Sequence, residues 1–184
     1  MKTLTIILLL LTASLTAQEA VGFAMYQDVR LALDNDDGHG NKGLTPDILA
    51  RITLQGQERE IGHSVYSIGY EWAQLYGGEF HRGNVTIGYT FTNMPVPLTN
   101  IKYSTSLFGG AGLIFRDGLK PVSPEVGGII TFKITKHFKW NTQAFWMLRT
   151  DLPNNKFGFN VSTGLQFDVS TDWKSKQAKK GTRF

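Results

Sequence analysis

The sequence predicts an all-β chain of eight antiparallel strands in up-and-down order, closed into a barrel. Three observations predict it. Apolar and polar residues alternate with a period of two along eight segments, turn-forming residues separate those segments, and no segment has the period of an amphipathic helix. The connections are too short for parallel crossovers, so neighbours in sequence should be neighbours in the sheet. The 184 residues suit one domain.

The elements follow in order. Met1-Lys2, the apolar run through Leu11 and the small residues Ala13, Ser14 and Ala17 have the layout of a secretory signal peptide, residues 1–17, cleaved after Ala17. Its apolar stretch is shorter than the ~20 residues a membrane-spanning helix needs. The barrel is expected over 18–173. Along Gly22–Leu33, Phe23, Met25, Val29, Leu31 and Leu33 share one parity, with Gln27 the exception. Ala24, Tyr26, Asp28 and Arg30 share the other. The second segment sets Ile48, Ala50 and Ile52 against Arg51 and Thr53, and the third sets Ile68, Tyr70 and Trp72 against Ser67, Gly69 and Glu71. In the fourth, Val85, Ile87 and Tyr89 oppose Asn84, Thr86 and Gly88. The fifth is softer, because Phe108 and Ile114 interrupt its polar side. In the sixth, Val126, Ile130 and Phe132 oppose Glu125, Gly127 and Thr131, and in the seventh Trp140, Ala144 and Trp146 oppose Lys139, Asn141 and Gln143. The eighth alternates without a break from Phe157 to Ser170. Loops are expected at Asp34–Pro46, at Gly77-Gly78 within Gln74–Phe80, at Asn93–Asn100, at Arg116–Pro124 and around Leu152–Asn155. The basic tail 174–184 is read as disordered and periplasmic.

Composition removes several classes of function. The absence of cysteine excludes a disulfide scaffold, a thiolate zinc site and a cysteine nucleophile. The formal charge of +4 at pH 7 is uneven. Lys2 lies in the signal, and Lys174, Lys176, Lys179, Lys180 and Arg183 lie in the tail. The body therefore holds thirteen basic and fifteen acidic residues, which does not make the patterned basic surface of a nucleic-acid binder.

Period-two alternation suits either a soluble barrel or a membrane barrel with the faces exchanged. Three features favour the membrane. The polar face is rich in Gly, Ser, Thr and Asn and carries few charges, unlike a soluble strand surface. Its charges pair by hairpin arithmetic, since facing residues are equidistant from the turn: Asp28 with Arg51, Glu71 with Arg82, Glu125 with Arg149, and Lys139 with Asp168. A narrow lumen of low dielectric should hold charges only in pairs. Finally, aromatics gather at strand ends on the apolar face. Tyr66, Phe91, Tyr103, Phe132, Phe138, Trp140 and Phe167 lie toward the end holding both termini, and Trp72, Phe115, Trp146 and Phe157 toward the other. Two interfacial belts are what a bilayer favours.

Over about Val21 to Trp173 the chain resembles the small eight-stranded outer-membrane barrels of Gram-negative bacteria, the class of OmpX and the OmpA membrane domain. The resemblance is architectural. Ser162, Gly164, Phe167 and Val169 also match the last-strand signal that the barrel-assembly machinery reads in that class. The class usually ends at that signal on an aromatic, whereas this chain continues to Phe184. The resemblance implies outer-membrane lipid and the assembly machinery as partners, a monomer, and export to the outer membrane.

The remaining motifs are weak. His63-Ser64 with Glu71 or Glu79 nearby is the best candidate for nucleophilic catalysis, but no pattern orients an acid partner. His39, His63, His81 and His137 are read as having no catalytic role. Asp34–Gly38 with Asn41 is acidic, yet Thr45 stands where a calcium loop needs Glu. No cofactor, metal or catalytic residue is expected. The expected function is a non-enzymatic surface protein, structural or adhesive, acting through the loops Asp34–Pro46, Gln74–Phe80, Arg116–Pro124 and Thr150–Lys156 toward an extracellular ligand. The alternatives are a narrow pore for small solutes and a soluble exported lipocalin-like barrel, in which Trp140 and Trp146 would line an apolar cavity.

Overall fold

A computed structural model of the chain describes residues 18–29, 46–75, 78–95, 102–116, 121–150 and 156–170. The expected signal peptide, the tail and most of each longer loop lie outside these residues. The elements are β1 (Gln18–Asp28), β2 (Asp47–Gly56), β3 (Gly62–Leu75), β4 (Gly78–Pro95), β5 (Lys102–Phe115), β6 (Val122–Lys133), β7 (Phe138–Arg149) and β8 (Lys156–Ser170). Each pairs antiparallel with the next, and β1 pairs with β8 to close the barrel. Closure gives every strand two partners and leaves no edge, which answers how a chain without cysteines is held together.

Period-two alternation becomes two faces of one sheet. Among the described residues, twenty polar or charged residues are buried against nine hydrophobic ones. Phe23, Ile52, Ile68, Val85, Leu107 and Val126 all point outward into the open. The barrel is therefore inverted relative to a soluble protein: its interior is polar and its outer surface apolar. Trp140 and Trp146 are 51% and 54% exposed on the outside. The lipocalin-like alternative, in which they would line a cavity, is thereby corrected. Aromatic contacts lie on this outer face, with Phe138 against Phe167 (5.1 Å) and Tyr103 against Phe132 (6.2 Å) toward the end carrying the termini. Trp146 meets Phe159 at 4.9 Å toward the other end.

Four boundaries differ from the sequence reading. The expected loop Gln74–Phe80 shrinks to 76–77, because Gln74 and Leu75 end β3 and Gly78–Phe80 begin β4. The first strand lies earlier than Gly22–Leu33: it begins at Gln18 and ends at Asp28, while Leu31 and Leu33 fall outside the described residues. β4 runs on to Pro95, into the expected loop Asn93–Asn100, across a register shift between Phe91 and Met94. β6 starts at Val122 and includes Pro124, which the sequence places in a loop. Proline lacks a donor for the ladder. Pro124 is accommodated because it pairs with Ala111 on one side, whereas the β6–β7 pairing begins only at Glu125.

One glycine at the closing seam has a clear steric reason. A Cβ on Gly164 would collide with the carbonyl of Met25 on β1. Only glycine permits that approach where β8 meets β1.

Candidate functional site in the barrel lumen

The inward residues divide the lumen into two halves. One lies toward the end where β1 begins and β8 ends, called here the terminal end. The other lies toward the connections between β1 and β2, β3 and β4, β5 and β6, and β7 and β8, called the loop end.

The loop half is packed solid. Arg82 on β4 is 0% exposed and stands between two carboxylates. Its Nη1 donates to Glu71 Oε2 at 3.0 Å, and its Nη2 donates to Glu125. Asn84 Nδ2 donates to the other Glu125 oxygen at 2.7 Å. The Arg82 guanidinium also faces the Phe145 ring, 5.9 Å from its centroid. Glu71 and Arg82 face each other in the β3–β4 register, whereas Glu125 reaches Arg82 across the lumen from a strand that does not neighbour β4. Around this triad, Ala73 with Phe80 and Ile114, and Phe108 with Phe145 and Met147, form apolar plugs. Arg149 lies over the Phe80 ring at 4.7 Å. Asp28 accepts from Asn160 Nδ2 at 3.0 Å.

The terminal half is open. A cavity of about 230 Å³ runs in from that end. Its wall includes Thr53, Ser67, Thr86, Thr90, Ser106 and Thr131. Lys102, Lys133 and Lys139 line it too, with His63 and Glu58. Lys139 is ion-paired with Asp168, which also accepts from Gln55 Nε2 at 3.2 Å. Arg51 forms its floor. Arg51 Nη1 donates to Gln143 Oε1 at 2.9 Å, and Gln143 passes the chain on to Ser162 at 2.7 Å. The guanidinium lies between the rings of Tyr26 and Phe108, at 5.5 and 5.4 Å. Asn141 donates to the Tyr26 hydroxyl at 3.0 Å and to Gln166 at 2.7 Å, tying the floor across the barrel.

The four expected ion pairs fare differently. Glu71 stands with Arg82, and Lys139 with Asp168. The other two expectations are corrected. Ala24, not Asp28, faces Arg51, because the β1–β2 connection is long and its centre is not readable from sequence. Glu125 faces Met147 rather than Arg149, and its carboxylate goes to Arg82 instead. Sequence reasoning also missed the amides Asn84, Asn141, Gln143, Asn160 and Gln166. Their signal was present, since each has the inward parity, but an amide announces no partner.

His63 and Ser64 are adjacent on β3 and so point to opposite faces, which breaks up that catalytic candidate. His81 lies on the outer face, with Nδ1 at 2.6 Å from the Tyr70 hydroxyl and Nε2 at 3.4 Å from Glu79. Glu71 is turned inward to Arg82. Of the assembly-signal positions, Ser162 bonds Gln143, Gly164 sits at the seam, Phe167 packs on Phe138, and Val169 is exposed.

This combination of a closed eight-stranded ladder, a polar interior and an apolar exterior defines the fold of the small outer-membrane barrels. Among solved structures the chain is similar to the outer membrane protein Ail of Yersinia pestis in a phospholipid bilayer nanodisc. The TM-score is 0.54 at 14% identity, covering 83% of this chain and 99% of that one. It is also similar to a de novo designed transmembrane β-barrel, with TM-score 0.46 and 10% identity over 83% of this chain and 96% of that one. Neisserial surface protein A gives TM-score 0.41 and 10% identity over 82% and 94%. No known family's sequence pattern matches the chain, and no curated protein matches it in sequence.

Proposed function

We propose that the chain is a monomeric outer-membrane β-barrel of a Gram-negative bacterium, without enzymatic activity, that acts structurally or through surface interactions of its loops. The observation that carries the reading is the inverted distribution of polarity. Burying Arg82, Glu71, Glu125 and Gln143 while exposing Ile68, Val126 and Trp146 makes physical sense only if the outside is hydrocarbon. In this reading residues 1–17 are removed on export. The assembly machinery reads Ser162, Gly164, Phe167 and Val169 on the last strand. The terminal end faces the periplasm, and the connections 29–46, 76–77, 116–121 and 150–155, which keep the middle of each expected loop, face outward. The ion-paired and aromatic packing of the loop half argues against the pore alternative, because it fills the path a solute would take.

Fractionation with gel electrophoresis of heated and unheated samples tests the reading. The expected result is recovery with the outer membrane and a mobility that changes on heating. A mature chain that is freely soluble without detergent overturns the membrane assignment. Planar-bilayer recording is expected to show no steady conductance, and an open, persistent channel overturns the sealed lumen.

A further inference from the structure

We infer that the terminal half of the lumen is a binding cup for one small anionic polyol, a sugar-sized molecule carrying a carboxylate or a phosphate. The inference rests on lumen geometry and goes beyond the proposed function.

The floor of the cup carries the argument. Arg51 is 4% exposed, yet no carboxylate meets it among the described residues. Its Nε and Nη2 find no hydrogen-bond acceptor among the described residues. A buried cation without a counter-charge is costly, and a structure that keeps one gains by admitting an anion. The rings of Tyr26 and Phe108 hold the guanidinium in place without neutralising it. The planar guanidinium matches carboxylate and phosphate oxygens, and because Nε and Nη2 are enclosed, an anion reaches them by displacing the packing beside them.

Charge and shape agree with the floor. Among described residues, the cavity is lined by the cations Arg51, Lys102, Lys133 and Lys139 and by the carboxylate of Glu58, with Asp168 paired to Lys139. Beyond the floor, the acids Asp28, Asp47, Glu71 and Glu125 outnumber Arg82 and Arg149, whereas the four cations of the terminal half outnumber Glu58 and Asp168, so the lumen is polarised with its positive end toward the opening. Ser67 bonds Thr86, and Thr90 bonds Ser106 at 2.7 Å; each pair keeps one hydroxyl hydrogen and spare lone pairs for a ligand hydroxyl. Asn141 Oδ1 is also a buried acceptor that meets no donor among the described residues. The cavity of about 230 Å³ equals roughly eight waters. It therefore suits a single monosaccharide rather than a chain. The chain's own tail is the wrong occupant, because its charges, Lys174 to Arg183, are all positive.

The test uses the mature chain folded in detergent micelles and titrated with glucuronate, glucose 6-phosphate, inorganic phosphate and glucose. Heat binding and the Arg51 Nε resonance are followed. Saturable binding of glucuronate or glucose 6-phosphate, at least tenfold tighter than glucose and shifting the Arg51 resonance, is the expected result. Inorganic phosphate alone should bind more weakly than the sugar phosphate. Arg51→Gln should weaken binding at least tenfold, and Ser106→Met, which fills the cavity and keeps Arg51, should do the same. Absence of saturable binding to the wild type overturns the cup, as does equal affinity for glucose or for the Arg51→Gln variant. If Arg51→Gln fails the heat-mobility test for folding, the Ser106→Met variant and the wild-type resonance decide. That mobility test also separates failure of the cup from failure of the membrane assignment.

Discussion

Arg82 and Arg51 are both buried, inward-facing arginines of one barrel, and their surroundings could hardly differ more. Arg82 is held by Glu71 and Glu125 and backed by Phe145. Arg51 has one amide, two aromatic faces and an opening in front of it. The loop half spends large side chains, Phe80, Ile114, Phe145 and Met147, on filling space, whereas the terminal half uses serines and threonines that leave it. The same parity rule thus yields a seal at one end and a cup at the other, depending only on side-chain volume and on whether opposite charges fall within reach.

The sharpest way to break this comparison is to remove the seal's cation. Arg82→Leu leaves two carboxylates buried beside each other, and a loss of about 3–5 kcal/mol is expected in urea unfolding from lipid vesicles. Adding Glu71→Gln and Glu125→Gln should recover more than half of it. Full stability of the single variant would show that the triad does not hold the loop half together.

Next comes the outer face that both halves share. Ile68→Arg, at a position 63% exposed near the middle of β3, should cost about 2–4 kcal/mol in a bilayer. Phe157→Arg, at the start of β8 and 76% exposed, should cost no more than about 1 kcal/mol. Equal effects at the two depths would contradict a lipid-facing surface. Gly164→Val forces a side chain onto the Met25 carbonyl and should destabilise the β1–β8 seam by about 1–3 kcal/mol, read as a larger unfolded band at a given urea concentration. The smallest effect belongs to the cup. Arg51→Gln should change stability by about 1 kcal/mol or less, because it removes an unneutralised charge together with one hydrogen bond. A loss as large as that of Arg82→Leu would make Arg51 a structural keystone and erase the contrast between the halves.

How much of this was legible follows from the lengths of the connections. Glu71 and Arg82 could be paired on paper because only residues 76–77 separate β3 from β4, so the turn centre was visible. Asp28 and Arg51 could not, because eighteen residues, 29–46, part β1 from β2. Lys139 and Asp168 meet on a diagonal, since Lys139 faces Gln166, yet long side chains bridge that offset. Glu125 with Arg82 was out of reach for a different reason. They lie on β6 and β4, and hairpin arithmetic describes only adjacent strands. Proline at 124 misled the boundary of β6, because its missing donor matters only on a side where a partner strand is present.

By itself the sequence determined the number of strands, their antiparallel order and which side chains share a face. Those properties depend on a period of two and on local turn chemistry, both written along the chain. Only the tertiary structure decided which inward charges meet across the lumen, that Arg51 meets no counter-ion among the described residues, and that one half of the interior stays open. Those outcomes depend on how eight strands are staggered when the sheet closes, and stagger is a property of the whole ring.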